Sequence, residues 1–254
     1  MDNLSRNFWR KLGAPLVALV GTLLICVVFL FGWLTLQQNR LSFVHEQRLA
    51  SSAIDTRLEF FHRSLGDYAI WDDIVRNLIG KGDLEWADAN VGPHLFQVQG
   101  YEYCFVLDDR GRTIYASARS ERTSTYTARI ADGVLDRLIE SLRRMPGQDR
   151  RKVILTTIDG GAALLGAASI IPSSNRERMP RPHYLVFAKK LDPALLEPMS
   201  REYGLAGLRI AAPGLNGVPL INDSGRSIGT LVWEPANPGS ELRRTSWPSL
   251  AILM

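Results

Sequence analysis

The chain has 254 residues, 46% of them hydrophobic and 22% charged, with a formal net charge of +4 and a pI near 9.2. Its basic residues form no lysine/arginine block interleaved with aromatics, so the sequence lacks the footprint of a nucleic-acid binder and no nucleic-acid partner is expected. Its two cysteines, Cys26 in a long apolar run and Cys104 in a strand-like run, are not placed to meet in a disulfide.

From Leu12 to Asn39 no charged side chain occurs, and Pro15 to Leu36 is apolar apart from Thr22, Thr35 and small residues. At 1.5 Å per residue this length matches a hydrocarbon core of about 30 Å. A soluble core helix seldom stays apolar on every face for so long. A cleaved signal peptide would have a shorter apolar core and a small-x-small site, whereas this run continues into Trp33-Leu34-Thr35-Leu36-Gln37-Gln38. Residues 12–36 are therefore expected to span a membrane, with 1–11 in the cytoplasm because Arg6, Arg10 and Lys11 outweigh Asp2. Residues 37–245 then lie across the bilayer, and Trp9 and Trp33 suit its two interfaces.

Beyond the span, Ile54, Leu58, Phe61, Leu65 and Tyr68 repeat at spacings of four and three, the stripe of a helix. The membrane helix is expected to continue as a long stalk. Its stripe has two open readings: pairing with a second copy, giving a homodimer through the stalk, or packing on its own domain.

The period then changes. Residues 103–107 and 113–117, around Asp109-Arg110-Gly111, read as a hairpin, as do 153–158 and 162–171 around Asp159-Gly160-Gly161. Between them Val134, Leu135, Leu138, Ile139 and Leu142 mark an amphipathic helix ending near Pro146-Gly147. Residues 172–182 form a loop, 183–190 a strand, 193–203 a helix, and 208–212 and 227–233 further strands. The expected fold is α+β: a long helix, then a PAS/Cache-like antiparallel sheet of about five strands with inserted helices. The apolar residues 246–254 are expected to begin a second membrane helix that the sequence cuts short.

Asp67-Tyr68-Ala69-Ile70-Trp71-Asp72-Asp73, near the end of the stalk helix, resembles the core motif of the fourth class of CHASE domain. In the same order follow Asn90 ahead of a variable loop, the hairpin Phe105 to Tyr115, and Leu185-Val186-Phe187 leading into Leu191-Asp192. The resemblance covers about residues 45 to 235. It implies an extracytoplasmic sensor between two membrane helices, in the bacterial inner membrane with its globular part in the periplasm. Such domains control a cytoplasmic cyclic di-GMP cyclase or phosphodiesterase, or a histidine kinase, none of which this chain contains.

Read chemically, Trp71 beside Asp72 and Asp73 has two interpretations. An aromatic face with two carboxylates suits a cationic or hydroxylated small molecule, with Tyr68, Asn90 and Tyr103 as further candidate contacts. Alternatively Trp71 is core where helix meets sheet, and an aspartate bonds backbone amides of a following loop. Tyr101, Tyr103 and Tyr115 are of residue types that more often pack than bind.

The four histidines are scattered without ligand spacing, and no nucleophile elbow, phosphate loop or HExxH pair occurs, so no cofactor, metal or catalytic residue is expected. Asp108-Asp109 sits at a turn, where carboxylates cap backbone groups. The expected function is a membrane-anchored sensor module for an unidentified small molecule, with a ligand-free dimerisation or partner-protein module as the alternative. A deep polar pocket would favour the first, and a filled core with an exposed apolar patch the second.

Overall fold

The computed structural model describes residues 2–124, 130, 133–174, 181–241 and 244, with side chains from residue 15 onward. The expected second membrane helix at 246–254 and most of the 172–182 loop lie outside the described residues. The chain divides into two compact units, Met1–Arg48 with Pro235–Met254, and Leu49–Glu234. Helix α1 (Asp2–Ala69) contributes residues to both.

In the first unit, the part of α1 from Pro15 on is long and apolar enough to cross a membrane, and its apolar side chains are exposed: Leu16 64%, Phe29 79% and Leu36 70%. Residues 37–48 and 235–241 fall in this unit. They are joined by polar contacts: Glu46 and Asn39 of α1 accept from the Ala236 and Gly239 amides, and Asn39 donates to the Ser240 hydroxyl.

In the second unit the expected α+β architecture is present. Strands β1 (Tyr103–Leu107), β2 (Thr113–Ala118), β3 (Glu121–Arg122), β4 (Arg151–Ile158), β5 (Gly161–Ser169) and β6 (Tyr184–Lys190) form one antiparallel sheet in the order β3-β2-β1-β6-β5-β4. The sixth strand beyond the five expected is the two-residue edge β3. Both hairpin turns are where the sequence put them. Asp159 and Gly160 take positive φ (49° and 74°) to close a two-residue turn between paired Ile158 and Gly161. At the other turn Asp108 accepts hydrogen bonds from the Arg110 and Arg112 amides (2.9 and 2.8 Å) and from Arg112 Nε (2.7 Å). Burial opposes ionisation of Asp108, but these donors prevail and hold its carboxyl below the usual range.

The sheet is covered on both faces, which is why β1 is buried at all five positions. On one face α4 (Val134–Arg144) buries Leu135, Leu138, Ile139 and Leu142 against Tyr103, Phe105, Leu165, Tyr184 and Val186. On the other, the stalk part of α1 buries Ile54, Phe61 and Leu65. Phe61 meets Tyr101 edge-on with centroids 5.1 Å apart. At Gly166 of β5 an added Cβ would stand 2.7 Å from Phe61 Cε1 and 3.0 Å from Leu65 Cδ2, so the glycine lets helix and strand approach. The stalk stripe thus packs on its own domain, and a partner helix would have to use another face of α1.

After α1 comes a π-helical segment (Ile74–Gly80), then α2 (Leu84–Asn90) and α3 (Gly92–Gln99). The variable loop expected after Asn90 is therefore helical. Asp83 caps α2 by accepting from Trp86 N (2.9 Å). Helix α5 (Pro193–Tyr203), capped by Asp192, leads to a second sheet of order β7-β9-β8, made of β7 (Arg209–Ala211), β8 (Val218–Ile221) and β9 (Ser227–Val232). The last two strands read from the sequence, 208–212 and 227–233, belong to this small sheet and not to the main one.

Candidate functional site

Where α1 ends, the chain is fastened to the end of β5. Ile171 N donates to Ala69 O (2.9 Å) and Trp71 N to Ile171 O (3.1 Å). Asp72 completes the junction: its carboxylate accepts from Ser173 Oγ (2.5 Å), Ser174 N (3.1 Å to each oxygen) and Ser174 Oγ (2.9 Å). The Ser173 hydroxyl foremost, and then the Ser174 amide, hold the Asp72 carboxyl below its ordinary range. With its acceptor sites engaged by loop residues, Asp72 is a structural clasp. Asp73 pairs with Arg76 at 3.1 Å.

Trp71 is half-buried, with its indole against Trp86 of α2 at 5.1 Å between centroids. Asn90 Nδ2 donates to Trp86 O (2.8 Å), so Asn90 supports the same helix. Further along α2, Asp88 accepts from Tyr115 OH (2.8 Å) and faces Arg122 at 3.7 Å. At the start of α3, Gly92 lies so close to Tyr115 OH and Ser117 Oγ that a Cβ has no room. Burial, with Asp88 beside it, pushes the Tyr115 phenol up.

Tyr68 and Tyr103 do not join this group. Tyr68 sits edge-on to Phe187 at 5.9 Å, in the aromatic layer beneath α1. Tyr103 lies on the opposite face of the sheet, in the core under α4, with its hydroxyl donated to Asp159 (2.6 Å). The six candidates therefore separate into Trp71, Asp72, Asp73 and Asn90 around the end of α1, Tyr68 in the packed layer, and Tyr103 on the far side of the sheet.

Sequence reasoning did not single out Trp86 or Lys189, and the packing role it gave Tyr101 is the one the residue has. Tyr101 stacks on Phe187 at 4.8 Å and donates to Ser64 Oγ (2.7 Å), and burial raises its pKa to about 12. Lys189 donates to Gln99 O (2.6 Å) with its ammonium 5.8 Å over the Tyr101 ring, and burial lowers its pKa. For Trp86 a signal was available: Asp83 three residues before it is helix-start chemistry.

The face under α1 is filled by Phe61, Leu65, Tyr68, Tyr101 and Phe187. A cavity of about 20 Å³ between Val134, Ile154, Thr156 and Asn222 has room for one water and not for a metabolite. Among the described residues no group of three or more His, Cys, Asp or Glu is arranged to hold a metal ion. At the end of α1, Trp71, Trp86 and Asn90 are each partly exposed among the described residues.

No curated protein matches the sequence. Among solved structures, the periplasmic domain of Vibrio cholerae LuxQ is similar at 19% identity and a TM-score of 0.47, over 71% of this chain and 78% of that one. A second structure of the same LuxQ domain gives 19% and 0.45, over 66% and 73%. A domain of a sensory box/GGDEF family protein from Vibrio parahaemolyticus gives 13% and 0.36, over 87% and 83%. The family comparison is independent of these: the CHASE4 domain matches residues 53–211, from the stalk part of α1 to the end of β7. That match takes in the Trp71-Asp72-Asp73 junction and all six strands of the main sheet, and the chain belongs to the CHASE4 family of extracytoplasmic sensor domains of signalling proteins.

Proposed function

We propose that this chain is the membrane-anchored input module of a bacterial signalling protein. In this reading α1 crosses the inner membrane with its N-terminus in the cytoplasm, and the CHASE4 domain senses in the periplasm. Its output is a cytoplasmic cyclic di-GMP cyclase or phosphodiesterase, or a histidine kinase, joined beyond the sensor. The observation that carries the reading is the uncharged, exposed apolar length of α1 directly preceding the matched domain. In the complete protein two copies act together, and Trp71, Trp86 and Asn90 contribute to ligand contact.

A second reading, a module that receives a partner protein, is favoured by the filled sheet face under α1, which leaves no space there for a metabolite. A thermal-shift screen of the purified chain against small metabolites, and then against periplasmic protein fractions, separates the two. A metabolite that raises the melting temperature supports the sensor, since a ligand that binds only the folded state stabilises it. Stabilisation by a protein fraction alone supports the partner module. Topology is tested by fusing a reporter active only in the periplasm after Ser117. Activity is expected, and a signal only from a cytoplasmic reporter at that site would overturn the orientation.

A further inference from the structure

Residues 235–239 read Pro-Ala-Asn-Pro-Gly, and within the first unit they lie along α1 in one defined register. Ala236 N donates to Glu46 Oε1 (3.1 Å), an oxygen that also accepts from Ser42 Oγ (3.0 Å) one turn earlier on the helix. Three residues on, Gly239 N donates to Asn39 Oδ1 (2.8 Å), and Asn39 Nδ2 donates to Ser240 Oγ (3.0 Å). Advancing along the segment therefore means descending α1, from Glu46 to Asn39, back toward its apolar stretch. Gly239 touches the helix itself: a Cβ there would collide with the Thr35 carbonyl and stand 2.9 Å from Thr35 Cγ2 and 3.0 Å from Asn39 Oδ1. Glu46 and Thr35 are each only 7% exposed.

The order of residues forbids this segment to slip. Moved one residue back, the two acceptors face Pro235 and Pro238, neither of which has an N–H to donate. Moved one residue forward, Ser240 takes the place of Gly239, and its Cβ does not fit against Thr35. The local turn is fixed as well, because Asn237 adopts φ 44° and accepts from Ser240 N (2.9 Å) while its own Nδ2 donates to Pro235 O (3.1 Å). The αL region admits asparagine more readily than most residues.

We propose that residues 235–240 are a register-locked strap on α1 with two states, engaged or released, and no sliding intermediate. The strap fastens the chain that leaves the sensor to the same helix that enters it. A displacement of one then either carries the other along or breaks the whole set of contacts. The proposal stands on contacts inside one unit and does not depend on what the sensor binds.

Residue-resolved hydrogen exchange on the full 254-residue chain in lipid nanodiscs tests it. In the unaltered protein the Ala236 and Gly239 amides should exchange at least about tenfold more slowly than in an unstructured peptide. Asn39→Ala should free both amides together, although it removes the acceptor of only one. Gly239→Val should do the same by steric exclusion. In both variants the amides of β1 and β6 report that the second unit stays folded. Unprotected amides in the unaltered chain, protection that survives Gly239→Val, or loss at Gly239 alone in Asn39→Ala would each overturn the two-state strap.

Discussion

Phe60 and Phe61 are adjacent, chemically identical residues of α1 with opposite surroundings: Phe61 is 2% exposed and Phe60 51%. Phe61→Ala removes a ring that packs edge-on to Tyr101 and over Gly166, and the lost transfer free energy plus the cavity left behind comes to about 3–5 kcal/mol. For a unit the size of Leu49–Glu234, where each kcal/mol moves the midpoint by about 2–4 °C, the melting temperature should fall by about 6–20 °C. Phe60→Ala should change stability by no more than about 0.5 kcal/mol. The crowding at Gly166 supplies an internal control. Gly166→Ala alone should cost about 1–3 kcal/mol by overpacking, and in the Phe61→Ala background that cost should shrink by about 1 kcal/mol, since the two sites share one space. The assay is thermal unfolding of the chain in detergent followed by near-ultraviolet circular dichroism, which reads aromatic packing and is blind to residual membrane helix. Equal shifts for the two phenylalanines would refute the packing of the stalk stripe on its own sheet and return that stripe to pairing between copies.

Trp71→Ala should cost about 1.5–3 kcal/mol, less than a fully buried indole, because the ring is half-buried against Trp86; an unchanged melting temperature would show that the contact does not support the fold. The Asp72 carboxyl is held below its usual value by Ser173 and Ser174, so its contribution is present above the unfolded aspartate pKa of about 3.9 and is lost as pH falls through the lower folded value. Exchange protection of the Ser174 amide should therefore persist at pH 4–5, near and above that ordinary value of about 3.9, and Asp72→Ala should abolish it at every pH. Burial raises Glu102, with the Lys190 amide offsetting part of the cost, so the folded pKa lies above the unfolded one and stability declines as pH rises through it. Glu102→Gln keeps an acceptor for that amide, and its urea midpoint should gain on the unaltered protein between about pH 4 and 7; a constant difference would show that Glu102 does not titrate with folding.

Elements with a clean period were legible in the sequence. Helix α4 could be read because Leu135, Leu138, Ile139 and Leu142 all serve one buried face, and both hairpins because Asp-Gly or Asp-Arg-Gly chemistry fixes the turn. Residues 74–99 were not legible. They fold as three short helical pieces, one of them π-helical, each too short to display a repeating stripe. In the small β7-β9-β8 sheet only β8 was not read: it is Val-Pro-Leu-Ile, and a proline inside a four-residue run demotes it as a strand. The proline is tolerated because, among the described residues, β8 is an edge strand paired with β9.

The six candidate residues do not all lie together, and the relation of Tyr101 to Tyr103 shows why. Two residues apart before and within a strand, they should share a face if the chain were extended throughout. Instead Tyr101 stacks on Phe187 under α1, while Tyr103 lies under α4. The bend between them begins at Gly100, which takes φ 67° to end α3, and passes through Glu102, whose buried carboxylate accepts from Lys190 N (2.9 Å). Alternation starts only at Tyr103, so Cys104, paired with Phe187, is the first strand residue to face α1. A pattern of aromatic residues indicates that a layer will be filled, but which layer depends on where the left-handed turn resets the count. The residue that fills the α1 layer is therefore Tyr101, two positions before Tyr103, which fills the layer under α4.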